Sequence, residues 1–357
     1  MCLCRSLLCD LDRVVLAIPS NAAKRRGWKI SFTPAHSQLT MLQHRSSRLN
    51  MNLHELSYKL HAEHDITQQK TVQLEMYRNW FESGTVDLWR HLRMFRLLDP
   101  FLEEFSGAHW LTVGDGTYGT ASMYIQKRGS NALPVDINVS LLQLSKEHGL
   151  IKDYRRENAE SLSFPDESYD FSLCKESYHH FPRPTVALYE MIRVSKKAVV
   201  LIEPADWLPS PIPRRILQAL KNRVKKTLGL VIPHSDTGNY EPIGNYIYNV
   251  SEREIQKCAL GLYLPTVAFK RFHDVYVDGV EFEKFDENGE LLKKTRRDLF
   301  KNDLLCKLGL SVQNHIGAVI FKEPPAESFR MKLSAAGYHI VDLPKNPYLD
   351  GSEPKPE

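Results

Sequence analysis

The stretch with the clearest chemical demand is Leu111-Thr-Val-Gly-Asp-Gly-Thr-Tyr-Gly119, in which Gly114, Gly116 and Gly119 form a G-x-G-x-x-G pattern. A short apolar run, HWLTVG, precedes it, and a helical pattern from Thr120 to Arg128 follows. In that strand–turn–helix setting glycines let the backbone approach a ligand with no Cβ in the way. The helix beginning near Gly119 offers free N–H groups and a partial positive charge to a pyrophosphate or a carboxylate. Asp136 ends the next apolar run, 20 residues beyond Gly116, where an acid can accept hydrogen bonds from ribose hydroxyls. These residues point to an adenosine-containing cofactor without choosing between a nicotinamide dinucleotide and S-adenosylmethionine.

The choice comes from Asn158-Ala-Glu-Ser-Leu-Ser-Phe-Pro-Asp-Glu-Ser-Tyr-Asp-Phe-Ser-Leu-Cys174, followed by Lys-Glu-Ser-Tyr-His-His-Phe181. An Asn-Ala pair, Leu-x-Phe, an acidic turn, an aromatic-Asp pair leading an apolar run, and a His-His-Phe triplet succeed one another. With the glycine turn, this order resembles the core of the class I S-adenosylmethionine-dependent methyltransferases, in their small-molecule, type 11-like branch. The resemblance spans roughly residues 111–203. It implies that Gly114, Asp115, Gly116 and Gly119 form the loop beside the methionine part of the cofactor. It also implies that Asp136 holds the ribose, that Asn158 and Ala159 lie at the adenine edge, and that the segment opening at Cys174 lines the methyl-transfer face. Two departures stand out. Thr112 occupies a position where the family often has an acid, with Asp115 a candidate substitute. Tyr118 stands where a tighter glycine loop would close.

Methyl transfer from a sulfonium is an in-line displacement, so the cofactor supplies the driving force. The protein aligns the nucleophile and excludes water, and alignment alone can contribute about 7–11 kcal/mol. A hydroxyl acceptor also gains from a general base. His179 and His180 follow the fourth strand and are candidates for that role, as is Glu176. The competing readings are that a histidine packs the Phe181-Pro182 turn and that Glu176 pairs with Lys175. Tyr-x-x-x-Lys, the pair of short-chain dehydrogenases, is missing, which leaves an NAD-dependent oxidoreductase as the weaker alternative. A non-catalytic cofactor-binding or regulatory protein of the same fold is the other. No standard zinc spacing occurs, Cys2, Cys4, Cys9, His36 and His44 included, and no metal is expected.

These residues need a scaffold that brings strand ends together. From His109 onward, apolar runs alternate with helical patterns: strands at 109–114, 133–137, 153–157, 169–174 and 197–203, with helices at 120–128, 139–147 and 185–194. Such alternation predicts an α/β fold, a doubly wound, mostly parallel, seven-stranded Rossmann-like sheet with ligands at its carboxyl edge. Further elements are expected at 251–260 (helix, capped by Ser251), 267–277 (strand), 303–308 (helix) and 315–322 (strand). Residues 51–105 read as an N-terminal helical cap in which Asp87 can cap the third helix. Residues 106–323 read as the methyltransferase domain, interrupted by a helical insertion at 204–250 after the fifth strand. Residues 324–357 read as a proline-rich tail over the surface.

Charge sharpens the partner question. Lys and Arg number 47 against 43 Asp and Glu, yet residues 1–50 alone carry eight basic and two acidic groups. The remaining 307 residues are therefore net −2, which gives no basic surplus for nucleic acid. Residues 1–50 read as a disordered basic extension ahead of Met51. Six cysteines fit a reducing, cytoplasmic setting, and no run is apolar and long enough to span a bilayer. The one basic concentration in the body is 211–228, a predicted amphipathic helix suited to an anionic acceptor or to peripheral membrane contact. The expected acceptor is a small molecule or saccharide.

Overall fold

The computed structural model describes residues 53–62, 84–206 and 246–348, together with Arg223, Thr227 and Tyr240. The basic extension at 1–50 and most of the 211–228 helix lie outside these residues. Arg223 and Thr227 are both helical and exposed.

Eight strands form one sheet in the order β3-β2-β1-β4-β5-β7-β6-β8. They are β1 (His109–Val113), β2 (Asn131–Asp136), β3 (Arg155–Arg156), β4 (Tyr169–Lys175), β5 (Ser195–Pro204), β6 (Thr266–Phe272), β7 (His315–Phe321) and β8 (His339–Asp342). The first five pair in parallel, while β7 runs antiparallel between β5 and β6. The expected seven strands become eight because β8 pairs antiparallel with β6, so the sheet continues beyond 323. Residues 324–348 are thus not merely a surface tail. Helix α9 (Glu327–Ala335) buries Phe329 and Leu333, and the chain then returns as β8.

The helices before α9 are α1 (Leu53–Ala62), α2 (Val86–Phe95), α3 (Asp99–Glu104), α4 (Thr120–Lys127), α5 (Ser140–Glu147), α6 (Pro184–Val194), α7 (Glu252–Gly261) and α8 (Glu290–Lys307). Alternate strand residues feed two cores. One joins Leu111, Val113, Cys174 and Leu201 to Leu188 and Met191 of α6 and Ile255 of α7. The other joins Trp110, Phe171, Leu173 and Val200 to Phe101 of α3, Ile125 of α4 and Phe329 of α9. Burying both faces explains the near-continuous apolar runs of β1, β4 and β5.

Two local expectations change. Thr85, not Asp87, caps α2, accepting a hydrogen bond from the Leu88 amide at 3.1 Å. Asp87 lies within the first turn and is spent on Arg90 instead. Helix α8 begins at Glu290 rather than 303, because Leu292, Thr295 and Leu299 hold its buried side while dense charge obscures the period. In contrast, Ser251 caps α7 as its S-x-x-E box predicts, accepting from Glu254 N at 3.2 Å.

Candidate functional site

Strand order reverses between β1 and β4, so the loops after them diverge and open a crevice at the carboxyl edge. The turn after β1 fits there only with glycine. Gly114 adopts φ +72°, and a Cβ on it would lie 2.5 Å from the Ser177 Cβ. The Ser177 hydroxyl donates to Gly114 O at 2.6 Å, tying the β1 and β4 loops together. At Gly116 a Cβ would meet Asp136 Oδ2 at 2.5 Å, the same oxygen that accepts the Gly116 amide at 3.0 Å. Asp136 also accepts from Asn138 N at 2.8 Å. Burial pushes its carboxyl above the usual range against these hydrogen bonds. Tyr118, where a third close glycine would sit, takes φ +62°, a left-handed conformation that costs a non-glycine residue on the order of 1 kcal/mol.

Asp115 and Thr112 form a buried unit. The Asp115 carboxylate accepts from the Thr112 hydroxyl at 2.9 Å, Ser122 N at 2.9 Å and Ala121 N at 3.2 Å. It thereby satisfies orphan amides of the first turn of α4. Burial raises its carboxyl to about 6, opposed by those hydrogen bonds.

Two cavities adjoin this turn. The larger, about 560 Å³, is bounded by Gly114, Gly116, Asp136, Asn158, Ala159 and His180, with Tyr58 and His61 of α1 across from them. A volume of that size suits a nucleoside-sized ligand. The smaller, about 200 Å³, lies behind Asp115 and Thr112 and is walled by Asp87, His91, Lys175 and Glu176. Glu176 and Ser177 border both. Of the sequence-predicted residues, Gly114, Asp115, Gly116, Asp136, Asn158, Ala159, Glu176 and His180 thus meet at the cavities. Gly119 sits behind, packed on Ile151, Leu142 and Pro134 as the left-handed residue that starts α4.

Cys174 and His179 depart from the expected placement. Side chains alternate along β4, so Leu173 and Lys175 face the smaller cavity while Cys174 turns to the opposite core, fully buried. Its thiol lies 3.7 Å from Glu203, and burial holds it well above the usual range. Glu203, wholly buried at the end of β5, accepts from Ser177 N at 2.9 Å and Tyr178 N at 3.0 Å. Its other oxygen lies 2.6 Å from His179 Nδ1, so His179 is turned toward β5 while His180 borders the larger cavity.

Sequence reading missed the charged wall behind the smaller cavity. Arg90 Nε donates to both oxygens of Asp274, at 2.9 and 2.8 Å, and Nη1 donates to Asp87 at 2.6 Å. Lys175 donates to Glu176 at 2.6 Å and to His91 Nδ1 at 2.8 Å. His315 Nε2 lies 3.7 Å from Glu176. Glu176 itself has φ +52°. Burial alone would raise its carboxyl, but the Lys175 charge and the His315 contact hold it well below the usual range. Burial, and then Lys175, press His91 well below its ordinary value, leaving a neutral ring.

A crossover sheet of this order, with a glycine turn after β1 and an acid ending β2, is a Rossmann-like architecture whose crevice lies at the carboxyl edge. Residues 111–202 match the family model described as a methyltransferase domain. This segment is a class I, type 11-like S-adenosylmethionine-dependent methyltransferase domain, and S-adenosylmethionine is the cofactor that goes with it. The ubiquinone/menaquinone biosynthesis C-methyltransferase UbiE of Zymomonas mobilis is 27% identical over 143 residues, covering 39% of this chain and 57% of that protein. The same-named protein of Rhodopseudomonas palustris is 27% identical over 141 residues, covering 37% and 54%. The chain therefore spans little more than half the length of these curated relatives. Among solved structures, the YcgJ protein of Bacillus subtilis is 17% identical with a TM-score of 0.42, over 66% of this chain and 100% of that one. A SAM-dependent methyltransferase from Archaeoglobus fulgidus is 16% identical with a TM-score of 0.41, over 69% and 98%. No helix among the described residues is long and apolar enough to cross a membrane.

Proposed function

We propose that the protein transfers a methyl group from S-adenosylmethionine to a small-molecule acceptor. The observation that carries this reading is the 560 Å³ cavity where the glycine turn, Asp136 and Asn158 converge at the carboxyl edge of the sheet. When bound, the cofactor supplies an electrophilic methyl group on a sulfonium. The chain's own residues do the rest. Gly114 and Gly116 bring backbone close to the ligand, Asp136 offers acceptors to ribose hydroxyls, and Asn158 with Ala159 borders the adenine. Glu176, anchored by Lys175, keeps a fixed negative charge beside both cavities. His180 stands at the wall where it can take a proton from an acceptor. His179, held through Nδ1 by Glu203, is a positioning residue for the turn that carries His180.

The acceptor we assign is a small molecule, sugar or lipid-linked saccharide methylated on oxygen or nitrogen, with His180 as the group such a nucleophile requires. A second reading, methylation on carbon, is favoured by the C-methyltransferase activity for which the two curated relatives are named. Calorimetric titration of the full chain with S-adenosylmethionine should show one site, and NAD should give no heat. Asp136→Ala should weaken cofactor binding about tenfold to a hundredfold, the worth of hydrogen bonds to a charged group, and lower the thermal midpoint as well, because the Gly116 and Asn138 amides lose their acceptor. No binding by wild-type chain would overturn the reading. Binding without turnover on hydroxyl, amine and activated-ring acceptors would favour a regulatory protein of the same fold.

A further inference from the structure

Strands β6 and β7 are not joined by a tight turn. Residues 273–314 rise between them from the edge where Phe272 pairs with His315 and His315 with Pro204. That is the carboxyl edge that also bears the cavities. Helix α8 is the main element of this excursion, and its inner side is settled: Leu292 packs with Val86, Val277 and Val280. Arg296 lies over the Trp89 ring of α2, 5.4 Å from its centroid. The same helix α2 contributes His91 to the smaller cavity.

The outer side of α8 does not look like an ordinary solvated face. Phe300, Leu304 and Leu308 follow at intervals of four and are 70%, 45% and 62% exposed. Single exposed apolar residues are commonplace, but this spacing lays the three along one continuous strip. At 100° per residue, Lys293, Lys294, Arg297, Lys301 and Lys307 fall on the same side, all exposed, against Glu290 and Asp303. An apolar strip framed by long cationic side chains, which can lay their stems along it and lift their charges outward, is the pattern of a helix lying in a membrane interface.

We propose that the outer face of α8 docks on a bilayer surface carrying anionic headgroups. Charge complementarity selects that occupant: the five cations would repel a second copy of the same face, whereas acidic headgroups neutralise them as the apolar strip enters the acyl boundary. Docking through α8 sets the carboxyl edge of the sheet, with both cavities, beside the lipid. The surface does not depend on the acceptor's identity.

The test is co-sedimentation of the full chain with phosphatidylcholine vesicles and with mixed phosphatidylcholine–phosphatidylglycerol vesicles. Wild-type chain should bind the mixed vesicles only, and less as salt rises. Phe300→Ser with Leu304→Ser should lower partitioning about tenfold, from the apolar area no longer buried. Lys301→Glu with Lys307→Glu should abolish binding, and both variants should keep the wild-type melting point because all four positions are exposed. Lys225→Gln with Lys226→Gln should bind as wild type does. The proposal fails if wild-type chain ignores anionic vesicles, or if the α8 variants bind normally. It also fails if Phe300→Ser with Leu304→Ser dissociates a dimer seen by sedimentation equilibrium, since a second copy would then be the occupant.

Discussion

The wall that faces Asp136 and the wall that faces Glu176 enclose adjoining cavities but are assembled differently. The first comes from one stretch of chain, Gly114 to Glu160, and is held largely by amides donating to side-chain oxygens, as Gly116 does to Asp136 and Glu160 to Asn158. The second gathers Asp87, Arg90 and His91 from α2, Lys175 and Glu176 from the end of β4, Asp274 after β6, and His315 opening β7. It is held by buried ion pairs between residues as much as 184 positions apart. A wall of backbone donors tolerates change in the rest of the chain. A wall of buried charges demands that every partner be present, so it ties α2 and the β6–β7 excursion to the sheet.

The largest expected effect follows from that demand. Arg90 is buried, and its guanidinium is shared between Asp274 and Asp87. Arg90→Met should leave two carboxylates facing each other with little water and cost about 3–5 kcal/mol of stability in denaturant melts. Adding Asp274→Asn should return at least about 1 kcal/mol of that loss, as coupled neighbours do. An Arg90→Met chain as stable as wild type would show that the second wall is solvated after all, and the contrast between the walls would collapse.

The same contrast explains what was legible in the sequence. The glycine turn, Asp136 and the Asn158-to-Phe181 succession could be read because each residue acts on a near neighbour in the chain. The Arg90–Asp274 and Glu176–His315 contacts could not, since no local period joins a helix before β1 to a loop after β6. Cys174 misses the cavity by a single step of strand alternation, which no local pattern marks. Strand β8 escapes a sequence reading because only two half-buried apolar residues, Ile340 and Val341, stand between the exposed His339 and Asp342. Seven charged residues from Lys293 to Asp303 mask the period of the long helix α8, leaving only its last turn legible.

Two buried carboxyls sharpen the contrast electrostatically, because they are displaced in opposite directions. Burial raises Asp115 to about 6, with hydrogen bonds too few to offset it, whereas Lys175 and His315 overcome burial at Glu176 and hold it low. Above its unfolded value the native Asp115 keeps a proton that the unfolded chain has released, so its contribution to stability falls as pH rises from about 4 to about 6. The loss is on the order of 2–3 kcal/mol and is complete above that window. Glu176 acts the other way, and its contribution disappears only as pH falls below about 4. Denaturant melts at intervals between pH 4 and 7 should therefore show a downward slope that Asp115→Asn flattens. The variant's absolute stability also reflects a changed cap on α4, so the slope is the diagnostic quantity. A wild-type slope retained in Asp115→Asn would place the titrating group elsewhere.

The smallest effect concerns α1, which closes the larger cavity without belonging to either wall. Its Tyr58 hydroxyl donates to Glu160 at 2.5 Å and accepts from Arg183 at 2.9 Å, while Arg183 Nε reaches the same Glu160 oxygen. Glu160 keeps Arg183 when the tyrosine hydroxyl is removed, so no buried charge is stranded. Tyr58→Phe should then cost only the net worth of the hydrogen bonds, about 0.5–1.5 kcal/mol. Because α1 is joined to the body at this point, the cost should appear as local opening rather than global unfolding. Amide exchange across 53–62 should quicken about twofold to tenfold, and cofactor affinity should fall by no more than that, with the melting point unmoved. Unchanged exchange would mean that packing, not this triad, holds α1. A loss as large as that of Arg90→Met would mean that α1 is a structural wall like the second, and not a cover that opens by itself.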